Sequence, residues 1–425
     1  MTTQLTSSVK ELYDPSLSVK VVGVAKKYDL TPDGPPPTRT PEYTVPGGPN
    51  SYHCSKNVTS WTYGFFPGLL WLLAERKDLD PSSIDSHYSK EDLIKLARRW
   101  QADFKKYARP AENHDQGFRF QLSYGRDYAL TGDEEAKRVL IEAAESLIDR
   151  YDERVGCIRS WDQMTNVEDG HKYTAEKRNE HYLAIIDNMM NLDLLYEATE
   201  LTGDERYAKA ANDQAVKSLT SHVRPDFTTY HVVNFDQNNG GKVLERRTAQ
   251  GYADESTWAR GQAWAVYGYS QCALRTGRQD FLETTRKLVD VFISRLGPTG
   301  VPEWDFDAPK PCPYDASAAT ITAVGMLNLY RLLLPTDKGA AEGYLNRSIK
   351  LVQDTLRECL TPAATLKEDG TVDFGKDGWE TLLAHSTING NPTGRKRFMD
   401  HGLVYADYYV IEYSNELLKI QKARA

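Results

Sequence analysis

A recurring pair of segments constrains this chain more than any other feature in it. An apolar stretch, rich in aromatic and small residues on most faces, gives way to an amphipathic one with Lys, Arg and Glu opposite one apolar stripe. The pairs are 61–76 with 90–107, 115–130 with 134–151, 184–201 with 206–223, 258–275 with 280–296, and 315–334 with 341–360. Three of the joining turns look alike: Tyr128-Ala-Leu-Thr-Gly-Asp133, Thr202-Gly-Asp204 and Thr276-Gly-Arg278. A Gly there ends one helix in the left-handed conformation, and an Asp after it caps the next. Helices apolar all round belong inside and one-sided helices outside, so two concentric layers are expected. A last apolar helix, 403–421, lacks a downstream partner. The N-terminal segment 8–30, interrupted at Asp14-Pro15, supplies that partner if the chain ends close a ring of six hairpins.

Five long polar segments, 31–60, 152–181, 224–257, 297–314 and 361–402, each precede an inner helix. Structureless loops beyond about 15 residues are uncommon in compact domains and are often functional. If the inner helices run in parallel, these loops crowd one end of the ring, and that end is the expected site. The net charge of -8 argues against a nucleic-acid surface, which concentrates Lys and Arg. Five scattered Cys (Cys54, Cys157, Cys272, Cys312, Cys359) form no C-x-x-C pair, disulfide framework or thiolate metal site. No metal-ligand spacing and no Gly-rich phosphate loop occur, so neither metal nor cofactor is expected. The start of the chain has no secretory pattern and no window approaches a membrane span, so a cytoplasmic protein without membrane contact is expected. Asn57-Val58-Thr59 and Asn346-Arg347-Ser348 fit the glycosylation pattern.

One inner stretch is anomalous. Residues 183–195, L-A-I-I-D-N-M-M-N-L-D-L-L, read as an apolar helical run holding Asp187, Asn188 and Asn191. Burying a carboxylate costs several kcal/mol unless it is paired or hydrogen-bonded. An Asp at a helix start is ordinarily a cap. The starts of the inner helices nevertheless offer Asp115, Asp187, and Arg260 with Trp264 one turn away, beside a generous supply of aromatic rings. Two carboxylates, a cation and aromatic faces suit a sugar site. Asn191, one turn beyond Asp187, reads as its hydrogen-bond partner and a structural support of the site. Arg260 has an alternative structural reading, pairing with Asp254 or Glu255.

Four motifs then stand in order: N-H-D-Q-G-F at 113–118, I-I-D-N-M-M-N-L at 185–192, E-S-T-W-A-R-G-Q-A-W at 255–264 and Y-D-A-S-A-A at 314–319. As an ordered set they resemble the unsaturated glucuronyl hydrolases of glycoside hydrolase family 88. The resemblance implies an all-α fold, an (α/α)6 barrel, in agreement with the hairpin count; one catalytic domain over 1–425, with an arm at 1–50, is expected. It implies removal of the 4,5-unsaturated uronic acid that polysaccharide lyases leave at the non-reducing end of oligosaccharides. Asp187 would then protonate C4 of the enol ether and assist water at C5, with Asp115 oriented against substrate hydroxyls. Trp61, His231, Gln250, Arg260 and Trp264 align with pocket positions, and His385 and Ser386 fall where the family meets the substrate carboxylate. The expected partner is an unsaturated uronate-containing oligosaccharide, bound by a monomer or weak homodimer. The rival readings are an unsaturated rhamnogalacturonyl hydrolase of family 105, a sugar epimerase on the same barrel using His as acid and base, and a catalytically dead carbohydrate-binding toroid.

Overall fold

The computed structural model describes residues 5–57, 60–164, 173–394 and 396–424. Twelve α-helices carry these residues: α1 (Ser16–Tyr28), α2 (Phe65–Leu79), α3 (Lys90–Gln101), α4 (Arg126–Thr131), α5 (Glu134–Ile148), α6 (Leu192–Thr202), α7 (Glu205–Ser221), α8 (Ala259–Thr276), α9 (Gln279–Ser294), α10 (Ala316–Leu333), α11 (Lys338–Cys359) and α12 (Val404–Arg424). An inner ring closes through α2, a π-helix (Gly117–Gly125) continuing into α4, then α6, α8, α10 and α12, which returns to α2. The helices α3, α5, α7, α9 and α11 lie outside it, each against its partner. The fold is an (α/α)6 barrel.

The turn chemistry read from the sequence is what ends the inner helices. Gly132, Gly203 and Gly277 sit at φ of 70, 75 and 66° as left-handed caps. Asp133 and Asp204 then accept from the N–H of Ala136 (2.9 Å) and Arg206 (3.0 Å), starting α5 and α7. The chain ends close the ring as the count required: the turn Leu5–Tyr13 packs on α12 and α11, and α1 on α2. Tyr13 donates from its hydroxyl to the Ser414 carbonyl (3.0 Å), and buried Arg76 of α2 donates to the Leu12 carbonyl (3.0 Å) and to Asn415 (2.5 Å). At the far end of the ring, Arg275 pairs with Asp193 (2.7 Å) and Arg126 with Glu412.

Two inner positions depart from the sequence reading. The run 183–195 is not one helix. Leu183–Ile185 is a strand, Ile186–Asn191 a 3-10 turn, and only then does α6 begin. The strand pairs with Val232–Asp236, which pairs with Lys242–Arg247, so part of the expected loop 224–257 is antiparallel sheet. A short apolar run fits helix or strand equally by periodicity, and here long-range pairing decides. The second departure is the wider π-helical winding at Gly117–Gly125, a local form often found at functional sites. Residues 58 and 59 of the first glycosylation pattern lie outside the described residues.

Close approach of backbones at this end gives a direct test. A Cβ on Gly64 would lie 2.3 Å from the carbonyl oxygens of both Phe118 and Arg119. Backbone cannot yield as a side-chain tip does, so Gly64→Ala should cost about 3 kcal/mol of unfolding free energy. A denaturant titration checks it, and an unchanged midpoint would refute the rigid packing.

Candidate active site

The starts of the inner helices converge on an aromatic floor. Trp61 lies 4.7 Å from Tyr405, 5.3 Å from Phe118 and 6.4 Å from Trp264, and Phe118 lies 5.0 Å from Trp264, all between ring centroids. Large rings packed at such distances bury a large apolar area and fix each other's orientation. Asp115 and Asp187 stand beside this floor, 7% and 9% exposed. Neither is a cap. Asp315, by contrast, takes the Ser317 N–H at 3.1 Å to start α10, whereas neither the π-helix after Asp115 nor the turn holding Asp187 has a side-chain cap.

Ser160 ties the two carboxylate-bearing segments together. Its N–H donates to the Leu183 carbonyl (2.7 Å), its hydroxyl oxygen accepts from Ile185 N–H (3.0 Å), and its carbonyl accepts from His114 N–H (3.2 Å). Asn191 acts in the same way, but not as expected. Its Oδ1 accepts from the N–H of Gly117 (2.8 Å) and Phe118 (3.3 Å), while its Nδ2 has no partner among the described residues. Asn191 therefore holds the first turn after Asp115 against the Asp187 turn, and is not a hydrogen-bond partner of Asp187. Gly117 and Phe118 open their helix, where backbone N–H groups have no intrahelical partner, and Asn191 supplies one across segments that no periodicity relates.

Each carboxyl meets a buried imidazole. His231 Nδ1 lies 3.2 Å from the Ala249 N–H and 3.4 Å from the Gln250 N–H, which can only donate, so Nδ1 accepts. A neutral ring then carries its proton on Nε2, 3.7 Å from Asp187 Oδ1. Burial foremost, then the field of Arg260, holds His231 well below its ordinary pKa, so the ring is neutral. Among the described residues neither Nε2 of His231 nor Oδ1 of Asp187 has a hydrogen-bond partner. His114 is similar: its Nε2 lies 3.2 Å from Asp115 Oδ1, and burial pushes its pKa down to about 3.

Burial also raises both carboxyls. Asp115 is pushed up to about 7, against the opposing fields of Arg119 and Arg150. Asp187 is pushed up to about 7 by burial and by the neighbouring Asp115 charge, with Arg260 acting in the opposite sense. The indole N–H of Trp264 also favours ionised Asp187, although it stands beyond hydrogen-bond geometry.

The remaining expected residues divide into those at the floor and those behind it. Arg260 is fully buried and pairs with Asp315 (2.5 Å), not Asp254 or Glu255; it donates also to the carbonyls of Thr387 (2.6 Å) and Ile388 (2.7 Å). Gln250 donates from Nε2 to the same Ile388 carbonyl (2.9 Å). Together they fasten the segment after His385 to the site. Ser386 is buried there, its hydroxyl without a hydrogen-bond partner among the described residues. His385, at φ 57° and half-exposed, turns instead to Asp400 (2.6 Å), with Glu358 the other charge it senses. A cleft of ≈ 580 Å³ opens beside the site, lined by Trp161, Met164, Gln250, Ile388, Asn389 and Phe398.

Several residues of the site escaped sequence reading. Trp258 stacks on His231 at 4.4 Å, Trp161 meets it edge-on at 6.0 Å, and Tyr405 completes the floor. His114 and Trp258 lie inside the motifs N-H-D-Q-G-F and E-S-T-W-A-R-G-Q-A-W, one and two residues from Asp115 and Arg260; Trp161, in a long loop, gave no signal. Among the described residues no three His, Cys, Asp or Glu side chains are placed to hold a metal ion.

A helical barrel with two buried, raised carboxyls, neutral imidazoles and aromatic faces at one mouth defines a carbohydrate-active enzyme. No family profile matches the chain. Curated relatives do: it is 34% identical to an unsaturated glucuronyl hydrolase of Formosa agariphila over 359 residues, 83% of this chain and 78% of that protein. It is 30% identical to an unsaturated chondroitin disaccharide hydrolase of Streptococcus agalactiae over 374 residues, 87% of this chain and 84% of that one. The crystal structure of an unsaturated glucuronyl hydrolase specific for heparin superposes with a TM-score of 0.77 at 28% identity, covering 98% of both chains. That of the enzyme from Bacillus sp. GL1 gives 0.75 at 27%, covering 97% of both. The chain belongs to the unsaturated glucuronyl hydrolases. It is a glycosidase that removes the 4,5-unsaturated glucuronate from the non-reducing end of oligosaccharides by hydrating the enol-ether double bond.

Proposed function

We propose that Asp187 is the proton donor of this reaction and Asp115 the carboxylate that orients the sugar. The carrying observation is the state of Asp187: buried, not a cap, one carboxyl oxygen without a hydrogen bond among the described residues, and its pKa lifted to about 7. The neutral acid gives its proton to C4, and the ring oxygen shares the positive charge that develops at C5. The carboxylate left behind takes a proton from water as its oxygen bonds to C5, so Asp187 ends protonated as it began. The C5 hemiketal opens to a ketone, and the hemiacetal thus freed at C1 releases the aglycone as an alcohol. His231, with its N–H fixed on Nε2, faces Asp187 and donates to a substrate oxygen beside it. Trp61 and Trp264 give the sugar its aromatic faces. Arg260 and Gln250 position the segment bearing Ser386, and His385 lies at its outer edge.

The substrates we propose are lyase products of acidic polysaccharides; the relatives named for chondroitin and heparin products support this. The double bond absorbs in the far ultraviolet, so turnover bleaches that band. Wild-type protein should bleach at least one of the unsaturated disaccharides from chondroitin, hyaluronan, heparin, ulvan, gellan and rhamnogalacturonan. Bleaching of none of them would defeat this reading.

The pH profile is a second test. Activity needs Asp187 protonated and Asp115 ionised, and a close pair shares its titration, so kcat/KM should be bell-shaped with one limb on each side of about pH 7. Asp115→Asn removes the charge that raises Asp187. The alkaline limb of the residual activity should therefore move to lower pH; an unmoved limb would separate the two carboxyls.

A further inference from the structure

Behind the Asp115 wall lies a polar cleft of ≈ 390 Å³ that the reaction does not use. Arg150, Arg159 and Arg178 converge on it, with Asn179, Tyr182 and Gln237. Arg150 and Arg159 have 5% exposed side chains, and Arg178 is half-exposed. These three guanidiniums share a single carboxylate, Asp162, at 3.1, 3.9 and 2.8 Å respectively. The two other carboxylates of the cleft are already engaged: Asp149 with Arg109 (2.9 Å) and Asp152 with Arg154 (2.6 Å). Among the described residues that line the cleft, three guanidiniums thus meet only two carboxylates, both paired elsewhere, and share Asp162 between them.

The arrangement is held rigidly. Arg150 Nε donates to the Arg159 carbonyl (2.9 Å). Arg159 donates to the His181 carbonyl (2.7 Å) and to Gln237 Oε1 (2.9 Å), with its guanidinium 4.1 Å from the Tyr182 ring centroid. The Nη groups of Arg178 make no hydrogen bond among the described residues. Burying like charges together is unfavourable unless a counter-charge joins them. Burial, and the neighbouring Arg178 and Arg150, press Arg159 below its ordinary pKa, consistent with a surplus of positive charge.

We infer that this cleft binds an oxyanion, a sulfate, phosphate or carboxylate group, on the forks of Arg159 and Arg178. Guanidiniums meet such groups through paired charge-assisted bonds, and the fixed forks lose little entropy in doing so. Arg150 touches both the cleft and the field at Asp115, so an anion bound there acts on the reaction centre through it. The site does not depend on the roles given to Asp115 and Asp187.

Calorimetric titration of the full chain with sodium sulfate, against sodium chloride at equal ionic strength, tests it. Sulfate should bind saturably, and Arg178→Gln, a half-exposed substitution, should weaken it about tenfold. Sulfate heats no larger than those of chloride, or equal binding in Arg178→Gln, would overturn the site. A further arm finds the source of the anion: a sulfated unsaturated tetrasaccharide that displaces sulfate shows a substrate substituent as occupant, and one that does not leaves a free anion.

Discussion

Asp187→Asn should abolish turnover without weakening the fold. A positioned proton donor contributes about 10²–10⁴-fold, and here the same group serves both proton steps, so kcat should fall by at least about 10³-fold with binding largely spared. The stability arm separates chemistry from structure. The folded-state pKa of Asp187 is raised from 3.8 to about 7, so between these values the folded chain holds a proton that the unfolded chain releases. Such a group makes stability fall as pH rises from about 4 to about 7, because ionised carboxylate must then stay buried. Asn carries no such penalty. At pH 8 the variant should unfold at a denaturant concentration equal to or above that of wild type. Activity retained within about tenfold would remove Asp187 from its role; a lowered midpoint would make the residue structural.

The second large effect is expected at Arg260, and it is of the opposite kind. Arg260→Met keeps much of the side-chain volume but leaves the Asp315 carboxylate buried without its cation and the carbonyls of Thr387 and Ile388 without a donor. Breaking a buried pair by removing one partner costs about 3–5 kcal/mol. Unfolding midpoint and kcat/KM should therefore fall together, the latter because the segment bearing Ser386 and the carbonyl partner of Gln250 come loose. Arg260→Lys should rescue little, since one ammonium cannot span the three acceptors that the guanidinium fork reaches. A stable Met variant with depressed kcat/KM would instead place Arg260 in direct contact with substrate.

The contrast between these residues shows where sequence reasoning stops. Asp187 was legible as an anomaly because its cost is local: a carboxylate in an apolar run needs a reason wherever the chain goes. Asp115 became legible beside it through the hairpin register, which places both at starts of inner helices. The partners were not legible. Asn191 lies one turn from Asp187 on a helical wheel, but the segment is a 3-10 turn, and its amide faces Gly117 and Phe118 instead. Arg260 had acidic neighbours in sequence at Asp254 and Glu255, yet it pairs with Asp315, 55 residues away. His385 adjoins the buried Ser386 but turns outward to Asp400 through its left-handed backbone.

By itself the sequence determined the hairpin count, the inner and outer faces, and the end of the ring at which the long loops gather. These follow from apolar periodicity, Gly and Asp at turns, and the cost of burying charge, which act over a few residues. Tertiary structure alone decided that 183–185 is a strand and which nitrogen of His231 bears its proton. It also decided that Ser160 and Asn191 tie the two acid-bearing segments together. Those outcomes depend on backbone pairing and hydrogen bonds between segments far apart in the chain, whose geometry no local pattern encodes.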